Sequence, residues 1–409
     1  MTAAAQWIHA GWLIDGTGAA PRQHVLLGVE KGIITSIEST DDVAPDLGEI
    51  LDLSNCTLIP GLIDSHVHLF MSGSSDSSLR EFQQHMTFSE AERTIERRLQ
   101  RTLSCGVVAV RDGGDAKGYT LGYKAAHSDS KAMPVQIKAA GRAWHRKGRY
   151  GKFIARSPGG GETLAQSIRS AGQDADHVKI INSGINSLSR FGAETPPQFS
   201  TEELQQAVSA AHQLACPVMV HANGKKPVEG AILSGCNSIE HGFFMGEENL
   251  KRMAESGIFW VPTAAPIQAY LRIMTGMTDN GSPKNGFQPN AIRIGIDVAR
   301  RTLDHQLEQM RRARELGILL AAGTDAGSPG VHHGSALREE IQLLMTAGFS
   351  LAGAIQCATQ NSARLMELSD AGVIAQGLPA TCVAVPGSPQ DLPGSLERIQ
   401  AVVVRGVEK

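Results

Sequence analysis

Short apolar segments alternate with longer helical segments over most of this chain, and that alternation constrains the fold more than any other feature. Eight of the apolar segments have the length and residue types of buried β-strands. They are LIPGLIDSH (58–66), VVAVRD (107–112), VQIKAAG (135–141), HVKII (177–181), PVMVH (217–221), SIEH (238–241), IFWVPT (258–263) and ILLAAGTD (318–325). Strands separated by helices predict an α/β fold with a parallel sheet. Eight such units favour a (β/α)8 TIM barrel. An open doubly wound sheet is the weaker alternative, because no G-x-G-x-x-G motif follows the first strand.

The two ends of the chain differ in character from the middle. Residues 1–57 consist of short β-rich pieces separated by Gly, Asp and Ser, and residues 378–409 return to β character in ATCVAV and RIQAVVVRG. We therefore predict a small β-sandwich domain made of both ends, 1–57 plus 378–409. The barrel would occupy residues 58–377.

Two segments within the barrel carry local signals. Residues 201–215 have the apolar spacing of an amphipathic helix, with Ser200 or Thr201 as the N-cap. Residues 270–290 are polar and rich in Gly and Asn. This composition predicts a loop over the top of the barrel and a candidate lid.

Charge and cysteine content restrict the class of protein. A net charge of −3 gives no electrostatic basis for binding nucleic acid or an acidic membrane. The six scattered cysteines form no C-x-x-C pair, which favours buried thiols in a reducing compartment. The N-terminus lacks the pattern of a secretory signal, and no apolar run reaches the roughly 18 residues of a membrane helix. We expect a cytoplasmic protein with a small-molecule substrate.

Metal-competent side chains stand at the ends of the predicted strands, where the active site of a TIM barrel lies. They are His66, His68, Lys179, His221, His241 and Asp325. The alternation of side chains along a strand places His66 and His68 on the same side. Each residue alone has an ordinary explanation, such as a core histidine, a capping aspartate or a paired lysine. Their occurrence together at one edge favours a shared metal centre.

The ligand types indicate which metals fit. Imidazole and carboxylate suit zinc, and also manganese, cobalt or iron. Four histidines and one carboxylate exceed the three protein ligands of a simple catalytic zinc site, so we predict two divalent ions. A lysine ammonium has no lone pair to give to a metal. Reaction of its amine with carbon dioxide gives a carbamate whose oxygens can bridge two cations, so we predict that Lys179 is N6-carboxylysine.

The motifs around these residues resemble those of the amidohydrolase superfamily, and most of all its binuclear prolidase-like branch, related to Xaa-Pro dipeptidase and imidazolonepropionase. They are G-L-I-D-S-H-V-H, H-V-K-I-I-N-S-G, V-H-A-N-G, S-I-E-H-G and G-T-D-A-G. The likeness runs from WLIDGTG to NSARLMEL. It implies that His66, His68 and Asp325 hold one metal and that His221 and His241 hold the other. Carboxylated Lys179 and a hydroxide would bridge the two metals, and by analogy with relatives the chain could be a homo-oligomer.

This chain departs from the family pattern at two places. Asn223 stands where many prolidase-like members have a second histidine, and the segment GRAWHRKGRYGKF replaces a glycine-rich segment after the third strand. Neither change affects a predicted ligand. Both leave the substrate open.

Roles for the remaining residues follow from their positions. Asp325 is predicted to act as general base and then general acid. His145 is the candidate for orienting the substrate carbonyl, with a solvated loop histidine as the alternative. Arg149 and Tyr150 are candidates for binding a substrate carboxylate, although the basic run H-R-K-G-R would also suit a solvated loop. We expect one of His332 and His333 to contact the substrate or the groups behind the ligands.

The sequence therefore predicts a binuclear, metal-dependent amidohydrolase that cleaves an amide C–N bond of a small molecule. A dipeptide or an N-acyl amino acid is the first expectation. The alternative within enzymes is a hydrolase of xenobiotic or cyclic amides, ureas or carbamates. A non-catalytic binding scaffold is disfavoured, because such a protein would lack some of the ligands.

Overall fold

A computed structural model describes residues 7–40, 50–128, 135–172, 174–276, 278–279, 282–283 and 289–409. The strands are β1 (Trp7–Leu13), β2 (Arg22–Glu30), β3 (Ile33–Ser39), β4 (Ile50–Pro60), β5 (Leu62–Val67), β6 (Val107–Asp112), β7 (Gln136–Ala139), β8 (Ala143–Trp144), β9 (Ala155–Arg156), β10 (Val178–Ile181), β11 (Val218–Ala222), β12 (Ser238–His241), β13 (Phe259–Val261), β14 (Thr278–Asp279), β15 (Ser282–Pro283), β16 (Cys382–Pro386), β17 (Ala401–Val404) and β18 (Val407–Glu408). The helices are α1 (Ser77–His85), α2 (Phe88–Ser104), α3 (Tyr119–Ala126), α4 (Leu164–Ala171), α5 (Thr201–Gln213), α6 (Lys225–Leu233), α7 (Glu247–Ser256), α8 (Ala265–Gly276), α9 (Pro289–Glu315), α10 (Ser335–Thr346), α11 (Leu351–Cys357) and α12 (Gln360–Leu365).

Strands from both chain ends join in one seven-stranded sheet, in the order β18-β17-β16-β4-β1-β2-β3. β4 is the central link, because it pairs parallel to β1 and antiparallel to β16. Apolar side chains of this sheet, among them Ile8, Leu27, Leu58 and Val403, form their own buried cluster. β4 runs to Pro60, which pairs with Cys382, so the sheet reaches past residue 57.

The middle of the chain is an α/β arrangement of parallel strands linked through helices. One sheet contains β5, β6 and β7, and a second has the order β13-β12-β11-β10-β8-β9. Residues 318–326 lie between the two sheets. The amide of Ala321 donates to Trp260 O at 3.0 Å, and the amide of Ser65 donates to Ala322 O at 2.9 Å.

Two predicted strands differ from the observed ones for local reasons. The stretch 58–66 contains the end of β4 and most of β5, separated at Gly61, whose amide donates to Thr381 O in the chain-end sheet. Residues 318–325 form only isolated bridges, through Leu320 and the adjacent Ala326. Asp325 has a φ of 54°, which interrupts extended geometry.

Capping explains where α5 begins. The Ser200 side chain accepts the amide of Glu203, and the Glu203 side chain accepts the amide of Ser200. This capping box satisfies two backbone donors at the first turn of the helix. The cap is therefore Ser200 rather than Thr201.

The predicted loop at 270–290 is wrong over its first part, because α8 continues to Gly276. The helix persists since its apolar side, with Ile267 and Ala269, is buried. Residues 277, 280–281 and 284–288 lie outside the described residues, as does the part of the candidate lid that they would form. Within the described ranges, no helix combines the length and hydropathy needed to cross a bilayer.

Candidate metal centre

Three predicted ligands meet at the end of β5. Asp325 Oδ1 lies 3.7 Å from His66 Nε2 and 3.5 Å from His68 Nε2. The ligand atoms of these three side chains all lie within 4.8 Å of one another. That spacing suits a single cation at roughly 2.0–2.2 Å from each ligand atom.

The other three predicted ligands surround this group. The ring centroids of His221 and His241 are 4.5 Å apart, and those of His66 and His241 are 5.0 Å apart. Lys179 Nζ lies 3.5 Å from His66 Nε2. The structure therefore brings all six side chains together, although their positions along the chain span residues 66 to 325.

Hydrogen bonds decide which nitrogen of each ring can bind a metal. His66 Nδ1 donates to Glu240 Oε2 at 2.7 Å, and His68 Nδ1 donates to Gly114 O at 2.8 Å. His241 Nδ1 contacts Thr263 Oγ1 at 2.7 Å. His221 is reversed, because its Nε2 donates to Gly184 O at 3.1 Å and leaves Nδ1 without a proton. A neutral imidazole with one nitrogen held in this way offers the other as a ligand, so the donor set fits divalent cations.

The carboxylate behind His66 is itself held in place. Glu240 Oε1 accepts hydrogen bonds from Arg111 Nη2 at 2.8 Å and from Ser238 Oγ at 2.5 Å. Arg111 also donates through Nε to Ser65 O at 2.8 Å. This buried network fixes the orientation of the His66 ring.

The candidate ligands are uncharged imidazoles at neutral pH. Burial, and then the positive charge of Lys179, lower the pKa of His68 to about 4 and that of His221 to about 3. The same two causes place the pKa of His66 well below its ordinary value. A protonated imidazole cannot coordinate a metal, so burial keeps these rings in the binding form.

Lys179 is a buried lysine without a carboxylate within 4.0 Å among the described residues. Burial lowers its pKa to about 8, against the opposing charges of Glu240 and Asp325. An ammonium in this place costs free energy that no ion pair offsets. A fraction of the side chain is therefore the free amine near neutral pH.

Two candidate ligands adopt strained backbone conformations. Asp325 has a φ of 54° and His241 a φ of 69°, both in the left-handed region. Such strain clusters at functional sites, where the surrounding structure enforces it.

Burial raises the pKa of Asp325 to about 6, while the hydrogen bond from Ser328 and the charge of Lys179 lower it.

The residues predicted to contact substrate do not all reach the same place. Tyr150 lines the cavity above the histidines, with its ring centroid 5.7 Å from that of His221. Arg149 does not line it, and its Nη2 donates to Pro196 O at 3.2 Å. His145 does not line the cavity either. Its two ring nitrogens are engaged elsewhere, with Arg149 O and Ser157 Oγ, each at 3.2 Å.

The two neighbouring histidines after Asp325 separate clearly. His332 is exposed, whereas His333 is buried and its Nε2 donates to His68 O at 3.1 Å. Neither lines the cavity. His333 therefore holds the backbone at His68, one of the candidate ligands.

The cavity has a volume of about 310 Å³ and contains residues that sequence reasoning missed. One is Arg80 on α1. Many of the others form apolar walls from α8 and from three loops, and these include Phe153, Ile154, Ile185, Leu188, Phe243, Ile267, Tyr270 and Ile273. The only available signal was their position after predicted strands, which many other residues share.

The chain is similar to known proteins in both sequence and structure. A model of the amidohydrolase family matches residues 57–408. The crystal structure of a Xaa-Pro dipeptidase with bound methionine in the active site has a TM-score of 0.79 and 27% sequence identity, and the match covers 98% of this chain and 99% of that one.

Curated relatives were also found. Ochratoxinase from Aspergillus niger is 25% identical over 350 residues, which is 79% of this chain and 69% of that protein. Imidazolonepropionase from Idiomarina loihiensis is 24% identical over 405 residues, covering 90% and 88% of the two chains. The similarity extends over the candidate ligands as well as the chain-end sheet.

Proposed function

Because this chain belongs to the amidohydrolase family, and to its prolidase-like branch, we propose that it is a binuclear metal-dependent hydrolase of a small-molecule amide. The supporting observation is the convergence of six candidate ligands from the end of β5, from β10, β11 and β12, and from the segment 318–326, with a ring nitrogen free on each histidine. A non-catalytic scaffold that had lost its metals would be expected to lack some of these ligands.

In the proposed centre, His66, His68 and Asp325 hold one cation, and His221 and His241 hold the other. Zinc is the first expectation, with manganese, cobalt or iron as alternatives. Bound divalent cations would supply an acidified water and would polarise the substrate carbonyl.

Lys179 joins the centre after a chemical modification. Its neutral amine attacks the carbon of carbon dioxide, so that a C–N bond forms while one C=O π bond opens and its electron pair moves to oxygen. The nitrogen then releases one proton to water, which leaves a carbamate with one negative charge. The product has two oxygens that can bridge two cations. Modification also removes the buried, unpaired ammonium described above.

Asp325 is the proposed proton carrier. Its carboxylate lines the cavity, with Oδ1 toward the His66 and His68 rings and Oδ2 accepting the Ser328 hydroxyl at 2.9 Å. It takes up a proton when the amide carbon is attacked and returns it to the departing nitrogen. General acid–base catalysis of this kind contributes roughly 10²–10⁴-fold to rate.

The fold proposal follows from the backbone contacts. The two parallel sheets and residues 318–326 close into a (β/α)8 barrel within residues 58–377. The chain-end strands, in 1–57 plus 378–409, form the small β domain beside it. Hydrogen bonds from residues 318–326 to Trp260 on one side and Ser65 on the other support the closure.

The proposed substrate class is a dipeptide or an N-acyl amino acid. The Xaa-Pro dipeptidase relative supports the proposal that the scissile amide lies next to an amino acid. The apolar walls of the cavity keep a second candidate open, the hydrolysis of xenobiotic or cyclic amides, ureas or carbamates.

The proposal is tested by metal analysis and turnover of protein expressed with ample zinc or manganese. We expect two divalent ions per chain, a mass increase on Lys179, and hydrolysis of members of a dipeptide and N-acyl amino acid library in preference to lactams and aryl ureas. Asp325→Asn should retain most of its metal and lose roughly 10²-fold or more of turnover. Absence of bound metal, or near-normal turnover in Asp325→Asn, would contradict the proposal.

A further inference from the structure

Arg80 is a cavity residue whose charge has no carboxylate partner among the residues that the structure describes. It lies on α1, lines the cavity with Tyr150 and Asp325, and is half-buried. Its Nη1 donates to Gly327 O at 3.0 Å and to Ser74 O at 3.5 Å. Among the described residues, no acceptor bonds its Nε or Nη2, and no carboxylate lies within 4.0 Å of the guanidinium.

A guanidinium in this setting is a ready site for an anion. Arginine keeps its charge at neutral pH, so partial burial cannot be relieved by loss of a proton. Burial lowers the pKa of Arg80, while the negative charge of Asp325 and that of an ionised Tyr150, which line the same cavity, raise it. The free edge of the guanidinium, Nε with Nη2, is the side that binds a carboxylate through two parallel hydrogen bonds.

The rest of the cavity lacks a site for a substrate cation. Among the lining residues, all of which the structure describes, Asp325 is the only carboxylate, and in the proposed function it is committed to the metal centre with His66 and His68. The α-ammonium group of a free dipeptide would therefore meet no acidic partner. Much of the remaining lining is apolar, and it includes Ile267 and Tyr270 on α8 and the exposed side chain of Ile185.

We propose that the substrate is an amino acid acylated on nitrogen by an apolar group, and that Arg80, beside Tyr150, binds its free carboxylate. The inference rests on the proposed amide-hydrolase function and deepens it. Arg80 takes the role that sequence reasoning gave to Arg149. The apolar acyl group lies against α8 and the loop walls, where its burial contributes about 25 cal/mol per Å².

Binding of non-cleavable analogues tests the proposal independently of turnover. The probes are ketomethylene analogues, with CH₂ in place of the amide NH, of N-phenylacetyl-glycine, -leucine and -phenylalanine. Each is prepared as the free acid and as the primary amide, and binding to the zinc-loaded protein is measured by calorimetry. We expect wild type to bind at least one acid about tenfold or more tightly than its amide, which is the size of one charge-assisted hydrogen bond.

Substitution at Arg80 separates recognition from structural support. Arg80→Met should lose the preference for acid over amide while binding the amides as wild type does. Arg97→Met is the matched control, because Arg97 is exposed on α2 and donates from Nε to the Arg93 carbonyl. It should keep the wild-type preference. If Arg80→Met does not fold, Arg80→Lys is used instead, because lysine keeps the charge but cannot form two parallel hydrogen bonds to a carboxylate. Its preference for acid over amide should be smaller than that of wild type.

Several outcomes overturn the proposal. They are equal affinity of wild type for acids and amides, equal weakening of both by the Arg80 variants, or no binding of any probe. Tighter binding of analogues that carry a free α-ammonium in place of the acyl group would also overturn it. The predicted binding pattern without hydrolysis of the parent amides would instead leave the Arg80 site standing and refute the proposed function.

Discussion

At each candidate ligand histidine, the ring nitrogen that does not point to the centre is held by a partner from another part of the chain. The partners are a carboxylate for His66, main-chain oxygens for His68 and His221, and a hydroxyl for His241. Because His221 is held through Nε2 and the others through Nδ1, its geometry toward a metal differs from theirs. The pattern sets ligand basicity as well as ring orientation.

A prediction at this scale concerns Gly113, which follows β6. A Cβ atom there would lie 2.9 Å from His68 Cε1 and 3.4 Å from His66 Nε2, with an ordinary backbone conformation. Gly113→Ala should therefore displace the His68 ring from the centre and block metal binding there, without straining its own backbone. Gly160→Ala is the control, since a Cβ at Gly160 meets nothing within 4 Å. Zinc affinity is measured by competition with a chelator, and unchanged affinity in Gly113→Ala would refute the placement of these rings.

The sequence could predict the ligand candidates because each ends an apolar segment, and strand ends meet at one edge of a parallel sheet. Arg80 could not be found in this way, because its place in the cavity depends on tertiary contacts of α1, such as the hydrogen bond from Arg80 to the Gly327 carbonyl. The same limit applies to His145. Its position after the third strand was visible, but the bonds that tie its ring to Arg149 and Ser157 were not.

At the scale of elements, α8 forms one wall of the cavity, and a buried carboxylate holds its first turn. Glu340, on α10, accepts the amides of Ala264 and Ala265 at 3.0 and 2.8 Å. Amides at a helix N-terminus have no acceptor within the helix, so Glu340 supplies the one that these two would otherwise lack. Burial nevertheless raises the pKa of Glu340 to about 8, while the two amides lower it.

This raised pKa predicts a pH-dependent stability. Between the ordinary glutamate pKa and about 8, the folded protein holds a proton on Glu340 that the unfolded chain has released. The free energy of unfolding therefore falls as pH rises through this range. Relative to Glu340→Gln, wild type should lose about 2 kcal/mol between pH 6 and pH 8.

The measurement is denaturant unfolding of both proteins across this pH range. Glu255→Gln, at an exposed glutamate on α7, is the control and should parallel wild type. A constant difference between wild type and Glu340→Gln would mean that Glu340 is ionised throughout.

The sequence could predict elements with a regular spacing of apolar residues or a clear capping residue. It could not predict elements whose extent depends on tertiary contacts. The Ser200 cap and the buried strands β10 to β12 follow from local residue types. The extension of α8 through Gly276 depends on the burial of side chains such as Ile267 and Ala269, and it overrides a polar and glycine-rich composition. The left-handed conformation of Asp325, which breaks the last predicted strand, also has no signal in the sequence.

At the scale of the whole molecule, the candidate ligands come from both parallel sheets and from the segment that joins them. Metal ions would therefore link parts of the chain that are distant in sequence. A ligand that binds only the folded state stabilises it by about 4 kcal/mol at a thousandfold excess over its dissociation constant. Removing metal with a chelator should lower the melting temperature of wild type, and restoring zinc should recover it.

Gly113→Ala provides the comparison for this experiment. With its metal site blocked, the variant should melt at one temperature with or without the chelator. A fall in its melting temperature equal to that of wild type would place the stabilising ion elsewhere. Calorimetric scans at matched protein concentration are the measurement.

The wide separation of His66 from Asp325 along the chain has a consequence for biosynthesis. A ribosome delivers the N-terminal part first, and domains generally fold as units in that order. His66 and His68 are thus synthesised early, whereas Asp325 emerges only after most of the polypeptide. The proposed ligand set is therefore complete only after residue 325 has been translated, and nascent fragments that stop short of it would lack Asp325.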